Sequence, residues 1–400
     1  MKNKKIFVVV QASSRSWSGG QDLCMNVMNQ ATVLHTTLRR LYAGLRDQIE
    51  CIYIIAPEFD KGRMDFLLED YPNIRISYSH DASPFLRMLD VTKSLKDDDL
   101  LLRVNGINFC VDVEVAKECL ILATKHSYDC VKFPDDFPSL FTSDVYRVSA
   151  LRKMQHELDE IENIYHVHPK YYMQKTKGYS CQIMKPEFSK YPDDLLMQVR
   201  KKCYESMYKT RIEVDPLKSI ASGDQISLHY SLIGKYLRRN DLVLDVACGS
   251  GFGTLMLRKH ADRVLGIDLD SNSINRALEN YGTQGGGFQC CDALKLPMSD
   301  FHFDAVVAFE IIEHVNPDDL LREIHRTLKP NGLVALSSPQ NSLGHIPSTP
   351  DHIIEFSLIQ LKEIVGKYFK IEKIIGIKQG CIYFDGDPVG SNTFIVARKI

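Results

Sequence analysis

A glycine-rich turn between a strand and a helix constrains this chain more than any other feature. Residues 242–246 (LVLDV) have the apolar, β-branched character of a buried strand, and they run through Ala-Cys-Gly-Ser-Gly-Phe-Gly into a helical stretch at 254–260. Glycine allows positive φ angles and lets the backbone approach a ligand closely. The spacing is GxGxG rather than the GxGxxG of dinucleotide-binding folds, so the turn alone is equally compatible with a structural role.

Short β-branched runs alternate with helix-period stretches along most of the chain, which predicts parallel α/β layers. A length of 400 residues exceeds one ordinary core, so we expect two α/β domains. Proline, serine and glycine interrupt the pattern at 215–223, which separates a domain at 1–215 from one at 221–400. The first half carries predicted strands at 6–10, 49–55, 74–78, 100–104 and 130–133 and predicted helices at 25–46, 64–69, 85–95 and 113–126.

Charge and hydropathy exclude several classes of protein. Lys and Arg number 49 against 51 Asp and Glu, a net charge of −2, which argues against nucleic acid as a partner. Apolar runs fall far short of the roughly 18 residues that cross a bilayer, and the start MKNKKIFVVVQ reads as a first strand. The 11 cysteines include no CxxC pair, which favours reduced thiols and a cytoplasmic location.

Acidic residues follow the next predicted strands of the second domain. The strand at 264–267 ends at Asp268, and the strand at 288–290 leads to Asp292 and Ala293. The carboxyl ends of parallel strands meet at one edge of a sheet, where a carboxylate can accept hydrogen bonds from ribose hydroxyls. The sequence therefore predicts a nucleoside-binding crevice beside the glycine-rich turn.

Five segments, LDVACGSGFG, GIDLD, CDALKLP, FEIIEHV and LKPNGLVALSSP, resemble the motifs of class I S-adenosylmethionine-dependent methyltransferases in order and spacing, over nearly all of 221–400. The resemblance implies a Rossmann-like fold and S-adenosyl-L-methionine as cofactor. It also implies a set of cofactor contacts: Asp245, Ala247, Gly249 and Gly251 for the methionine part, Asp268 for the ribose, Leu269 for an adenine face, Asp292 with Ala293 for the adenine amino edge, and Glu310 beside the cofactor.

The residues after the strand at 303–309 are candidates for catalysis. Transfer of a methyl group to a hydroxyl requires positioning and removal of a proton, and Glu313, His314 and His352 are suited to this role. We expect His352 to open a later helix. Together with Glu310, these residues resemble the divalent-metal set of small-RNA terminal 2'-O-methyltransferases, which implies Mg²⁺ or Mn²⁺. Two alternatives stay open: His314 acts as a base without metal, or Glu313 and His314 only shape the pocket.

Residues 1 to about 150 resemble cytidylyltransferases of the acylneuraminate and spore-coat-polysaccharide type, in FVVVQA, LLRVNGINFCVDVEV and FPDDFPSLFTSDVYRVSAL. This implies a nucleotide-diphospho-sugar transferase fold. The loop at 11–21 has no Lys to hold a triphosphate, and Ile107 stands where a carboxylate would bind Mg²⁺, although Asp112 and Asp144 are present. We interpret this half as a nucleotidyltransferase fold kept for binding a sugar nucleotide or for assembly.

The two halves together predict a methyltransferase acting on a small-molecule or glycan acceptor, namely a sugar or a CMP- or CDP-linked sugar in surface-polysaccharide synthesis. A bifunctional enzyme that also activates the sugar with CTP is the main alternative, and Ile107 counts against it. RNA 2'-O-methylation is disfavoured because the composition has no excess of basic residues for binding RNA. A non-catalytic binding module is disfavoured by the retained Asp268 and Asp292.

Overall fold

The computed structural model describes residues 4–15, 22–28, 30–158, 164–184, 225–282, 287–342 and 352–400. These residues form two compact units. The first contains the described residues up to 184 except 135–138, and the second contains 135–138 and the described residues from 225 onward. The predicted boundary at 215–223 lies outside the described residues. Within the described ranges, none of the helices combines the length and apolar character needed to cross a membrane.

The first unit is an α/β fold. Its strands are β1 (Ile6–Gln11), β2 (Val27–Met28), β3 (Ala31–Thr32), β4 (Cys51–Ala56), β5 (Ile74–Tyr78), β6 (Leu100–Asn105), β7 (Cys130–Lys132), β8 (Asp144–Arg147) and β9 (Cys181–Ile183). Its helices are α1 (Val33–Leu45), α2 (Pro84–Thr92), α3 (Val113–His126), α4 (Val148–Glu157) and α5 (Pro169–Lys175). Seven strands form one sheet in the order β5-β4-β1-β6-β8-β7-β9, and β2 pairs with β3 separately.

Local hydrogen bonds explain where the helices of this unit begin. The side chains of Thr32, Ser83 and Asp112 each accept a hydrogen bond from a backbone N–H in the first turn of α1, α2 and α3. The prediction of one helix over 25–46 was wrong, because α1 begins only after this cap at Thr32. The predicted helix at 64–69 is a short 3-10 turn, Asp65–Leu68.

The second unit is also α/β. Its strands are β10 (Leu242–Val246), β11 (Arg263–Asp268), β12 (Gly287–Cys290), β13 (Phe303–Phe309), β14 (Leu328–Pro339), β15 (Phe369–Lys378), β16 (Ile382–Tyr383) and β17 (Asn392–Lys399). Its helices are α6 (Gln225–Ile233), α7 (Phe252–Leu257), α8 (Ser271–Tyr281), α9 (Pro317–Thr327) and α10 (Leu358–Gly366). The eight strands form one sheet in the order β12-β11-β10-β13-β14-β17-β15-β16.

Both large sheets are mixed, so the expectation of parallel layers was incomplete. In the first unit β8 runs antiparallel to β6, and in the second β17 runs antiparallel to β14 and β15. The strands β12, β11, β10, β13 and β14 are mutually parallel. Each unit therefore has its own core of parallel strands, which antiparallel strands extend.

The sheet of the second unit is covered on both faces. Alternate residues of the central strands point to opposite sides: Val243 packs in a cluster with residues of α6 and α7, whereas Leu244 packs with residues of α9 and α10. From β10 the chain proceeds to β11 on one side and later returns to β13 on the other. The carboxyl ends of β10 and β13 thus border the topological switch point, where open α/β sheets bind ligands.

Candidate active site

The glycine-rich turn joins β10 to α7 at the switch point. Its backbone has positive φ at Ala247 (59°), Gly249 (53°) and Gly251 (85°). A Cβ on Gly251 would lie 2.7 Å from the ring of Phe288, so this position has room only for glycine. A Cβ on Gly249, by contrast, would meet nothing within 4 Å. The turn therefore packs tightly on one side and leaves open space at Gly249.

Asp268, the last residue of β11, stabilises this turn through a hydrogen bond to its backbone. One oxygen of its carboxylate accepts a hydrogen bond from the backbone N–H of Gly249 at 2.9 Å, and the other accepts from the N–H of Asp270 at 2.9 Å. The side chain is half-buried, and a carboxylate has lone pairs beyond these two bonds. Asp268 is thus placed beside the open face of the turn.

The ends of β11 and β12 lie side by side. The N–H of Cys291 donates to the carbonyl of Asp268 at 2.9 Å, which brings the following residues, Asp292 and Ala293, to the same edge. The carboxylate of Asp292 accepts a hydrogen bond from the N–H of Leu294 at 2.8 Å. Leu269 is 72% exposed. An exposed apolar side chain thus stands next to two acidic strand ends.

Asp245 lies deeper than the sequence alone suggests. Its side chain is fully buried, and its two oxygens accept hydrogen bonds from the hydroxyls of Tyr230 (3.0 Å) and Thr254 (2.6 Å). Burial raises the pKa of Asp245 to about 7, although the two hydroxyls oppose the rise. The ring of Tyr230 also lies against the turn, because a Cβ on Gly253 would be 1.9 Å from it. Asp245 ties α6, β10 and α7 together.

Glu310 follows β13 with a positive φ of 53°. Its carboxylate accepts hydrogen bonds from the Ser337 hydroxyl at 2.7 Å and from Nδ2 of Asn392 at 2.9 Å. Desolvation raises the pKa of Glu310, while these two donors lower it. The side chain is therefore fixed by β14 and β17, two strands whose contribution the sequence did not suggest.

Glu313, His314 and His352 come together after β13. One potential ligand atom from each lies within 4.8 Å of the others, and the two imidazole rings meet edge to face at 4.7 Å. Glu313 is fully buried, and neither of its oxygens has a hydrogen-bond partner of good geometry among the described residues. Burial and then the charge of Glu310 raise the pKa of Glu313 well above its ordinary value, and the nearby Ser338 hydroxyl opposes the rise. Glu310 does not belong to this group.

A residue absent from the predicted site completes the group. The fully buried carboxylate of Glu355 lies 2.6 Å from Nδ1 of His352, and its other oxygen accepts a hydrogen bond from Nδ2 of Asn341 at 2.7 Å. The spacing of three residues between His352 and Glu355 was a signal that could have suggested the pair. The expectation that His352 opens a helix was wrong: α10 begins at Leu358, after a capping box formed by Ser357 and Gln360.

Comparison with known proteins identifies the class to which this unit belongs. A family model described as a methyltransferase domain matches residues 244–336. A probable S-adenosylmethionine-dependent methyltransferase of Mycolicibacterium smegmatis is 29% identical over 162 residues, which are 39% of this chain and 62% of that protein. The ubiquinone/menaquinone biosynthesis C-methyltransferase UbiE of Desulfotalea psychrophila is 38% identical over 22% of this chain and 38% of that protein. The chain thus covers less than two thirds of each of these relatives.

A solved S-adenosylmethionine-dependent methyltransferase from Methanosarcina mazei is similar at 22% identity over 42% of this chain and 97% of that one, with a TM-score of 0.36. The family match and the curated relatives identify the second unit as a class I S-adenosylmethionine-dependent methyltransferase domain with a Rossmann-like α/β fold, and they indicate an enzyme. The named site residues and the cytidylyltransferase-like character of the first unit stay predictions.

Proposed function

We propose that the protein transfers the methyl group of S-adenosylmethionine to a hydroxyl group of a sugar or a nucleotide-activated sugar, in the cytoplasm, during surface-polysaccharide synthesis. The observation that carries the methyl-transfer part is the placement of the glycine-rich turn and the Glu313, His314 and His352 group after β10 and β13, which are neighbours at the switch point. The sugar part depends on the N-terminal resemblance to sugar-activating enzymes, an analogy at the level of the fold.

The residues around the turn fit an adenosyl cofactor. Gly249 offers backbone with open space in front of it, Asp268 and Asp292 offer carboxylate acceptors, and Leu269 offers an exposed apolar surface. In this proposal Asp268 binds the ribose hydroxyls, Leu269 contacts one adenine face, and Asp292 with Ala293 meets the amino edge. When bound, S-adenosylmethionine supplies an electrophilic methyl group on a sulfonium sulfur.

His352 is the proposed proton acceptor for the acceptor hydroxyl. Its Nδ1 lies 2.6 Å from the Glu355 carboxylate, so Nδ1–H donates there and Nε2 is left to accept a proton. The carboxylate stabilises the imidazolium that results. The rest of the group is contributed by Glu313, which is buried, and by His314, which is exposed and provides a second imidazole.

In a second version of the proposal, the same side chains bind a divalent cation, Mg²⁺ or Mn²⁺. Among the described residues neither oxygen of Glu313 has a hydrogen-bond partner of good geometry, and with the imidazoles of His314 and His352 they form a donor set of one carboxylate and two imidazoles, with Glu355 orienting one imidazole from behind. The ion would polarise the acceptor oxygen there. The sequence-based set also included Glu310, whose carboxylate is instead held by Ser337 and Asn392.

The bifunctional alternative receives less support from the contacts of the first unit. Asp112 accepts a hydrogen bond from the N–H of Val115 and caps α3, while Asp144 is paired with Arg103 and Lys170. Ile107 has no ligand atom for Mg²⁺. For RNA, the near-neutral composition offers no excess of basic residues. We therefore favour a first unit that binds a ligand rather than activating one.

Calorimetric titration of S-adenosylhomocysteine into the full chain tests the cofactor site. Asp268→Ala should weaken binding by about tenfold to a hundredfold, because charged hydrogen bonds to the ribose are lost. Asp270→Ala is the matched control: this acid lies two residues away, is exposed and caps α8. It should leave the affinity nearly unchanged. Equal weakening by both variants, or no binding to the wild type, contradicts the assignment.

Transfer of labelled methyl groups tests the acceptor class. The panel should contain free monosaccharides, CMP- and CDP-linked sugars, and a short RNA with a free 3' end. Labelling of a sugar supports the proposal, and labelling of RNA alone contradicts it. The reaction should be repeated with EDTA. If methyl transfer keeps its full rate in the chelator, the metal proposal is excluded, and His352 with Glu355 is left as the proton acceptor.

A further inference from the structure

Two cysteines stand opposite each other at one end of the sheet of the first unit. Strand β9 is the last of the seven described strands in that sheet, and it pairs in parallel with β7 so that Cys181 faces Cys130. Both side chains pack in the same apolar cluster. The other described cysteines within strands, Cys51 and Cys290, stand opposite a phenylalanine and an aspartate. The pairing of β7 with β9 thus brings two thiols together on one face.

Hydrogen bonds on either side of the two cysteines fix this register. One oxygen of the Asp129 carboxylate accepts from both the N–H and the hydroxyl of Ser180, each at 2.9 Å. Two residues beyond the cysteines, the N–H of Met184 donates to the carbonyl of Lys132 at 2.8 Å. Neighbouring strands lie about 4.8 Å apart, and a disulfide joins Cα atoms roughly 4.4 to 6.8 Å apart. The backbone therefore places the two cysteines at a separation that suits a disulfide.

The two thiols differ in burial and in acidity. Cys130 is fully buried, whereas Cys181 is half-buried. The thiol of Cys130 donates a hydrogen bond to the sulfur of Cys181, which lowers the pKa of Cys181 and raises that of Cys130. The positive charge of Lys132 also favours the thiolate of Cys181, while burial and the charge of Asp129 oppose the fall in its pKa. Cys181 is therefore the accessible thiol with thiolate character, and Cys130 is the protonated thiol behind it.

We propose that Cys181 and Cys130 are a redox-active dithiol that a peroxide converts into a disulfide joining β9 to β7. In the first step the Cys181 thiolate attacks one oxygen of hydrogen peroxide, the O–O bond breaks, and the departing hydroxide takes up a proton to form water. Cys181 is then a sulfenic acid. In the second step the sulfur of Cys130 attacks the sulfur of Cys181, the S–O bond breaks, and the hydroxide leaves with the proton of Cys130 as a second water.

Together the two thiols lose two electrons and two protons, and the peroxide is reduced to two molecules of water. A small thiol returns the pair to its reduced form by thiol–disulfide exchange. The disulfide would hold β9, which is attached to β7 by three register pairs, against the sheet. These steps use residues of the first unit alone, so the proposal stands independently of the methyl transfer proposed above.

Mass spectrometry of the reduced full chain after brief treatment with hydrogen peroxide tests the pair. Once free thiols are blocked with iodoacetamide, trypsin releases Cys130 in peptide 126–132 and Cys181 in peptide 178–190. These peptides should appear joined, lighter than their sum by two hydrogens, and dithiothreitol should separate them. Cys181→Ser should abolish the joined product. Cys51→Ser is the matched control, because this cysteine belongs to the same apolar cluster on β4, and it should leave the yield unchanged.

Three outcomes of this measurement overturn the proposal. The first is that peroxide leaves both thiols free. The second is that Cys181 gains oxygen atoms without becoming joined to Cys130. The third is that Cys181 becomes joined to a different cysteine.

Alkylation of the reduced chain tests the separate roles of the two thiols. At pH 7 iodoacetamide should modify Cys181 before Cys130, because Cys130 is buried and protonated. Cys130→Ala removes the donor to the sulfur of Cys181, so alkylation of Cys181 should become about threefold to tenfold slower as its thiolate fraction falls. An unchanged or faster reaction of Cys181 in this variant, or earlier reaction of Cys130 in the wild type, contradicts the assignment.

Hydrogen exchange of backbone amides tests whether the disulfide holds the strand. In the oxidised wild type, the amides of residues 178–184 should exchange about tenfold or more slowly than in the reduced wild type, because local opening of β9 becomes rarer. Cys181→Ser treated with peroxide in the same way should show no slowing. Equal exchange in the oxidised and reduced wild type would refute the proposed attachment of β9.

Discussion

The buried carboxyl of Asp245 should make the stability of the second unit depend on pH. Its pKa rises from an ordinary value of 3.8 to about 7 in the folded chain. Between these two values the folded state keeps a proton that the unfolded state has lost, so the free energy of unfolding falls as pH rises and levels off above pH 7. At about 1.4 kcal/mol for each pH unit, the whole effect is about 4 kcal/mol.

Asp245→Asn removes this titration while keeping the size of the side chain. From about pH 5 to about pH 7.5, the free energy of unfolding of the wild type should fall by roughly 2 to 3 kcal/mol more than that of the variant. Equilibrium unfolding in urea, followed by circular dichroism, measures the difference, and the shift caused by S-adenosylhomocysteine marks the transition of the second unit. Asp262→Asn, at an exposed site, is the control. A flat difference, or one of opposite sign, would show that Asp245 stays ionised in the folded chain.

Three further predictions concern the turn and the histidine pair. Thr254→Val removes a hydroxyl donor from the buried carboxylate of Asp245 and should lower the free energy of unfolding by about 1 to 3 kcal/mol. Thr254→Ser keeps the donor and should not, and urea unfolding of the two variants measures the difference. Glu355→Gln removes the charged partner of His352 and should slow methyl transfer about tenfold or more at unchanged cofactor affinity, and a fall in both would indicate a folding defect. Gly251→Ala places a Cβ against the ring of Phe288 at a positive φ and should lower the free energy of unfolding by about 2 kcal/mol or more. Gly282 has an ordinary φ and space for a Cβ, so Gly282→Ala should leave the melting temperature unchanged.

The sequence predicted most of the parallel part of both sheets, because buried parallel strands are short apolar runs that helical stretches separate. The strands β10 and β13 match their predicted bounds. The antiparallel additions were missed: nothing local in residues 392–399 specifies that β17 lies between β14 and β15. Strand order depends on packing between distant segments, which periodicity does not report.

The position of a candidate site residue was predictable where that residue follows a strand. Asp268 and Asp292 are examples, since both follow directly from the strand pattern. Glu355 was missed because its importance comes from a contact with His352 outside any helix. The helix expected at His352 fails because Ser357 and Gln360 form a stronger start signal a few residues later.

The position of β17 bears on the order in which the chain can fold during synthesis. This strand comes last among the strands of its sheet, yet it lies inside the sheet, and its Asn392 holds the carboxylate of Glu310. The ribosome therefore releases β14 and β15 before the strand that joins them exists. The first unit can complete its own sheet while translation continues. In the second unit, the edges of β14 and β15 that later pair with β17 stay unpaired until β17 has been synthesised. Slow elongation through residues 340–391 would lengthen that exposure, so chaperone demand should concentrate on the second unit.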